Sequence, residues 1–283
     1  MARVLAHNAA VRCGARACQV VVLTGDAGHG KSALLREVIR VVREDGGAAR
    51  RTRVLVAQSS AMLSKCTPLH TARQWLLRWH GANMLPADIT ARVLKDAGLA
   101  ADAESAVGRA VGALLGDSNA ASVALEEQVA ALVAVLTGLA AERPLLLCVE
   151  DAEHLDPASL SVLHSLVCAE GAARLCMLVA VRSSQGVVDE TMLQWLERDC
   201  GQHLEIGPLS TDAARELITI TASGGTMPPP VVAFIVEHCG GVPLHVDQMT
   251  TAFVESNLLF LGDDGAYELE GSLESLKLPT NLR

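Results

Sequence analysis

The segment QVVVLTGDAGHGKSALLREVIRVVRED, residues 19–45, switches its hydrophobic rhythm within a few positions. An unbroken apolar run from Val20 to Leu23 is the pattern of a short strand buried on both faces. From Lys31 onward the apolar residues recur at helical spacing until the Gly-Gly pair at 46–47. Between strand and helix lie Gly25, Gly28 and Gly30, directly ahead of Lys31 and Ser32, which satisfies G-x-x-x-x-G-K-[ST] at every fixed position. An ordinary strand-to-helix turn would not need all of those positions. Glycines open backbone conformations closed to other residues, so the N–H groups of Gly25, Asp26, Ala27, Gly28, His29 and Gly30 can point at phosphate oxygens. The positive end of the helix that starts at Lys31 and runs on through Ser32 and Ala33 is directed at the same spot. The Lys31 ammonium can then reach the β- and γ-phosphates of ATP, and the Ser32 hydroxyl can ligate Mg²⁺.

The strand-then-helix order repeats. TRVLVAQS (52–59) reads as a second strand and PLHTARQWLLRWHG as a helix carrying Trp75 and Trp79 on one face. The alanine-rich stretch 85–141 reads as helical, with breaks near Gly98 and around 116–119. RPLLLCVED (143–151), RLCMLVAVRS and QHLEIGPLS read as further strands, separated by the helices DPASLSVLHSLVCAEG and ETMLQWLERDCG. Val-, Leu- and Ile-rich strands alternating with helices predict a three-layer α/β domain over residues 19–209, built on a parallel five-stranded sheet covered on both faces. Residues 1–18 form a basic remnant ahead of it. After Leu209 the strands give way to three helical patterns, which predict a small helical lid over 210–257. The tail 258–283 alternates around Asp-Asp-Gly as a hairpin, the start of a winged-helix-like element, and closes no compact unit of its own.

A phosphate-binding loop needs a second group to hold magnesium and position water. LLLCVED carries a strand through the core and releases Glu150 and Asp151 at its carboxyl end, the end that forms the ligand crevice in an open α/β sheet. One acid would hold the Mg²⁺ shell and the other would polarise the attacking water; Glu150 is assigned to the metal and Asp151 to the water, and the pair leaves the reverse assignment open. Glu153 and His154 lie on the following loop with no assigned role. Asp156 before Pro157 reads as helix-capping chemistry. Arg182 closes the fourth strand, and in sheets of this type with an inserted strand that strand lies between the loop strand and the carboxylate strand. Its guanidinium would there sense the third phosphate or stabilise its transfer.

Charge narrows the partners. The net charge of −9 is uneven, because residues 1–53 hold ten Lys and Arg against four Asp and Glu, while the remainder is strongly acidic. With only 2% aromatic residues, an acidic body offers no stacking surface, so nucleic acid is an unlikely partner. The longest uncharged run in the apolar middle of the chain, 128–141, is too short to span a bilayer. Eight cysteines without a CxxC pair fit reduced thiols in a cytoplasmic protein, with Cys148 and Cys176 serving as small hydrophobes in strands.

VVVLTGDAGHGKSALL, PLLLCVEDAEHLDPASLSVLHSL, LVAVRSS, LEIGPLSTDAARELI, GGVPLHVDQMTTAFVES and LKLPTNLR occur together in one order over residues 19–283. In that set the chain resembles the AAA-like ATPase module of signal-transduction NTPases (STAND type). It looks most like the version behind the catalytic domains of soluble adenylyl cyclases and in LuxR-type regulators, related to the Orc1-like ATPase domain. The resemblance implies an ASCE-type P-loop NTPase fold, Pro243 packing against adenine, Arg182 sensing the γ-phosphate, and a lid whose posture follows ATP against ADP. It also implies that the partners are other domains or proteins of a signalling assembly. The chain departs from the pattern in lacking a GRE-type segment upstream, in Val181 at a position where a polar residue is common, and in His154 where an aromatic is frequent. It reads as a fragment or stand-alone remnant of a larger regulator. The expected function is a Mg-ATP-binding, slowly hydrolysing regulatory module. The alternatives are a protein-interaction module with a relic nucleotide site, an Orc1-like DNA-associated ATPase, and a small-molecule kinase.

Overall fold

The structure is a computed structural model that describes residues 18–44, 52–80, 84–100, 102, 104–117, 123–169, 174–183, 201–256, 259–262 and 265–270. The basic stretch 1–17, the helix expected over 190–200 and the LKLPTNLR motif lie outside them. The chain divides into two compact units. One comprises residues 1–24 with 32–205, the other residues 25–31 with 206–283.

The first unit is a parallel sheet. Strands β1 (Gln19–Gly25), β2 (Arg53–Gln58), β3 (Leu145–Glu150), β4 (Leu175–Arg182) and β5 (Gly201–Glu205) lie in the order β2-β3-β4-β1-β5. The register is fixed by parallel pairs such as Val56 with Cys148, Val149 with Val179 and Leu23 with Leu204. β4 therefore sits between β1 and β3, as the inserted-strand reading requires. Side chains pointing either way from the central strands are buried: Val20 and Val22 on one side of β1, Val21 and Leu23 on the other. A strand with no wet face has no use for alternating polar residues, which is why the sequence shows unbroken apolar runs.

Helix α1 (Lys31–Glu44) buries Leu35, Val38, Ile39 and Val42 as one stripe. Helices α2 (His70–His80), α3 (Pro86–Asp96), α4 (Ala106–Leu115), α5 (Leu125–Glu142) and α6 (Pro157–Cys168) share one core with Val20, Leu55, Leu147 and Met177. The two breaks expected in the alanine-rich stretch separate α3 from α4 and α4 from α5. The second is closed by Gly116 in a left-handed conformation (φ 85°). Trp75 of α2 is buried and donates its indole N–H to the Cys148 carbonyl (3.3 Å), while Trp79, one turn on, lies 4.1 Å beneath the Arg53 guanidinium.

Asp156 does more than cap one helix. Its carboxylate is buried and accepts the Ser159 N–H (2.8 Å) and Ser159 hydroxyl (2.7 Å) at the start of α6. It also accepts the Leu69 N–H (2.9 Å) and the Thr71 N–H (3.4 Å) at the start of α2. One side chain thus satisfies orphan donors of two helices that meet after β3.

The second unit contains α7 (Thr211–Thr221), α8 (Pro229–Cys239) and α9 (Pro243–Glu255), around Ile218, Ile235, Met249 and Phe253. Strands β6 (Leu259–Leu261) and β7 (Tyr267–Leu269) pair antiparallel. No described helix is long and apolar enough to cross a membrane.

Two measurements check this architecture. Asp156→Ala strips a buried acceptor from four donors and should lower stability by about 2–4 kcal/mol in urea unfolding; a loss under about 1 kcal/mol would mean the network contributes little. Burial raises the Cys148 thiol pKa, pushes Cys176 up to about 12 and Cys239 to about 11. All three therefore stay protonated at pH 8, where the thiolate is the reactive species. Native-state alkylation followed by mass spectrometry should modify exposed Cys66 and Cys168 and spare Cys148, Cys176 and Cys239.

Candidate functional site

The glycine loop follows β1 and ends where α1 begins. Gly28 (φ 81°) and Gly30 (φ 91°) both take the left-handed conformation that glycine allows without strain. A side chain on Gly25 would place its Cβ 2.6 Å from the Ile206 carbonyl oxygen, so that position is closed by close approach instead. His29 Nδ1 is 3.1 Å from the same carbonyl. Lys31 donates to the carbonyls of Gly25 (2.8 Å) and Asp26 (2.9 Å), which draws the ammonium across the mouth of the loop. Asp26, Ala27 and Ala33 are exposed, and Ser32 is half-buried in the first turn of α1.

The loop is met by the start of α9. The Leu244 N–H donates to the Gly28 carbonyl (3.2 Å), and a Cβ on Gly28 would lie 3.0 Å from Leu244 Cβ and 3.1 Å from Val242 Cγ1. Pro243, the first residue of α9, sits between those two contacts. The GPLS and GGVPL segments also meet: the Leu209 N–H donates to the Gly241 carbonyl (2.8 Å). Residues that the sequence grouped only by order are thus neighbours.

In the first unit the acids leave β3 at the carboxyl edge of the sheet. The Ser59 N–H donates to the Glu150 carbonyl (3.0 Å), continuing the β2–β3 ladder past the strand end. Asp151 follows with φ 52° and ψ 44°, a left-handed backbone in a residue that has a Cβ, and its Oδ2 accepts from Gln58 Nε2 (2.9 Å). Arg182, at the end of β4, is tied to Glu153: its backbone N–H donates to Oε2 (3.1 Å) and its Nε lies 3.6 Å from Oε1.

Gln58 was not singled out by the sequence, and Glu153, although inside the PLLLCVEDAEHLDPASLSVLHSL stretch, was assigned no role. Gln58 offers one faint signal, an amide at the carboxyl end of an apolar strand. Glu153 offers none, since an acid on a loop ordinarily reads as solvated.

These residues fit a magnesium nucleotide. An added Cβ on Gly30 would meet nothing within 4 Å, so the left-handed loop leaves open space beside its backbone. No group of three or more His, Cys, Asp or Glu able to hold a metal occurs among the described residues. Mg²⁺ bound here would take a few protein oxygens and complete its shell with phosphate and water, its usual preference.

A five-stranded parallel sheet of this order, with the glycine loop between β1 and α1, defines a P-loop NTPase fold. The chain belongs to the AAA ATPase domain family, which matches residues 3–179. Similar solved structures include the Aeropyrum pernix ORC1 protein in complex with DNA (15% identity, TM-score 0.51, 88% of this chain and 57% of that one). Others are Drosophila ORC bound to DNA (15%, 0.52, 89% and 54%) and the ADP form of the Aeropyrum pernix ORC2 protein (14%, 0.54, 89% and 60%). At such identities the likeness concerns the fold alone, and the chain spans little more than half the length of those chains. No curated protein matches the chain.

Alanine at the two left-handed glycines separates conformational cost from steric cost. Gly30→Ala should lose about 1 kcal/mol, the left-handed penalty alone. Gly28→Ala should lose about 1 kcal/mol more by pressing on Leu244 and Val242. Equal thermal shifts for the two variants would show that α9 does not constrain the loop.

Proposed function

We propose that the chain is a Mg-ATP-binding, slowly hydrolysing regulatory ATPase module of a signal-transduction protein. The observation that carries this reading is the complete phosphate-loop sequence, with Gly28 and Gly30 left-handed, following a strand whose carboxyl end shares one sheet edge with that of the acid-bearing strand. The family's defining property is ATPase chemistry, which agrees with it.

In this reading the backbone N–H groups of residues 25–30 and the Lys31 ammonium bind the phosphates. Lys31 would exchange its two carbonyl acceptors for β- and γ-phosphate oxygens, a change from neutral to charged partners that favours the bound state. Ser32 and Glu150 would hold the Mg²⁺ shell. The metal, when bound, supplies charge neutralisation on the phosphates. Asp151, steadied by Gln58, would accept the hydrogen bond of the attacking water, and Arg182 would meet the γ-phosphate. Pro243 beside the Gly28 contact would border the base. Turnover under this reading is slow, and the nucleotide state serves as the signal.

A second reading, an Orc1-like DNA-associated ATPase, draws on similar structures solved with DNA bound. The acidic body of the chain weighs against it. A flat duplex-DNA mobility-shift titration at low salt would remove it.

Isothermal titration with Mg-ATP should give a clear binding heat that Lys31→Ala weakens by at least about tenfold, the loss of one charge-assisted contact. The Glu150→Ala/Asp151→Ala double variant should keep affinity within about threefold while phosphate release falls by about 10² or more. No heat with the intact chain would overturn the proposal. Phosphate release no faster than in the Lys31 variant would reduce it to a relic binding site.

A further inference from the structure

We infer that Glu153 is a positioning residue for Arg182, fixing the guanidinium so that its two terminal amino groups remain for an incoming γ-phosphate. The inference rests on the nucleotide reading above and extends it to how the third phosphate is told apart.

The argument starts from burial. The Glu153 side chain is 4% exposed, on the short 3-10 turn Ala152–His154 that follows the acids of β3. A carboxylate so desolvated needs a cation or donors close by. It has two, both from one residue: the backbone N–H of Arg182 on Oε2 and the Arg182 Nε near Oε1. Oε1 makes no hydrogen bond among the described residues, so its acceptor capacity is spent on Arg182 by charge alone.

The geometry of arginine does the rest. Guanidinium is a planar fork whose Nε edge and terminal amino groups can serve different partners. Glu153 takes the Nε edge. Nη1 and Nη2 make no hydrogen bond to another described residue, and the side chain is 36% exposed, so an anion can reach them. Because the same carboxylate also holds the Arg182 main chain, the end of β4 and the head of its last side chain are located by one group. A flexible arginine would lose rotamer freedom on meeting a phosphate, and this one has already lost part of it. On the nucleotide reading, the third phosphate would be the group that meets the amino groups Glu153 leaves available, so the arrangement would chiefly affect discrimination.

Titration of the full chain with Mg-ATP and Mg-ADP tests this in four proteins: wild type, Glu153→Gln, Arg182→Ala and the double variant. Glutamine keeps the shape and an acceptor for the Arg182 N–H but removes the charge. Glu153→Gln should weaken Mg-ATP about fivefold and Mg-ADP less than about twofold, and should add nothing once Arg182 is alanine. Equal losses for both nucleotides would overturn the inference, because a merely structural carboxylate would not choose between them. So would a Glu153→Gln effect that persists with Arg182→Ala, or a wild-type preference for Mg-ATP that Arg182→Ala leaves intact. A wild-type chain that binds neither nucleotide would instead overturn the nucleotide reading itself. If Glu153→Gln does not fold, Glu153→Asp, which keeps the charge and shortens the reach, should show the same selective loss.

Discussion

Strands buried on both faces must satisfy their backbone N–H and C=O groups against one another, because no water reaches them. In this chain that requirement is met by a parallel ladder in which β4 separates β1 from β3. Parallel pairing aligns every carboxyl end along one edge, so chemistry encoded far apart in the chain emerges in one row: Thr24, Gln58, Glu150, Arg182 and Glu205 are the residues at those ends in the first unit. The register reinforces the effect. Thr24 is also bridged to His203 of β5 by a 2.6 Å hydrogen bond, which ties the strand that feeds the glycine loop to its outer neighbour. The site is therefore a consequence of ladder geometry before it is a consequence of side-chain choice.

How much of this the sequence discloses depends on the range of the interaction. The glycine loop, the apolar strands and the helix breaks are local events, since strand burial, left-handed glycines and helical spacing each act within a few residues. The insertion of β4 was legible too, given the kind of sheet. The order of the outer strands β2 and β5 was not, because runs such as VLVA and LLLCV are interchangeable as hydrophobic faces. Asp156 shows the boundary well. Its cap on α6 could be read from Asp-Pro, whereas its bonds to Leu69 and Thr71 depend on a packing of two helices more than 80 residues apart in sequence. Glu153 and Gln58 lie wholly beyond that boundary, for each acquires its role only when β3 lies beside β2 and β4.

The glycine loop answers to two demands at once. Its conformations suit anion binding, and its surface is shaped by neighbours in its own unit: Ile206 leaves no room at Gly25, and Val242 and Leu244 leave little at Gly28. Only Gly30 has empty space beside it. Of the three glycines, then, two are held by packing as much as by phosphate chemistry, so a glycine in this motif is weaker testimony to ligand binding than the lysine and serine that follow.

Asp151 carries its carboxylate on a backbone twisted into the left-handed region, where a side chain is uncomfortable. A glycine there would relieve the torsion and make the fold sturdier while deleting the acid. Under the role proposed for Asp151, robustness and chemistry pull residue 151 in opposite directions, and selection for heat tolerance alone would favour losing the acid.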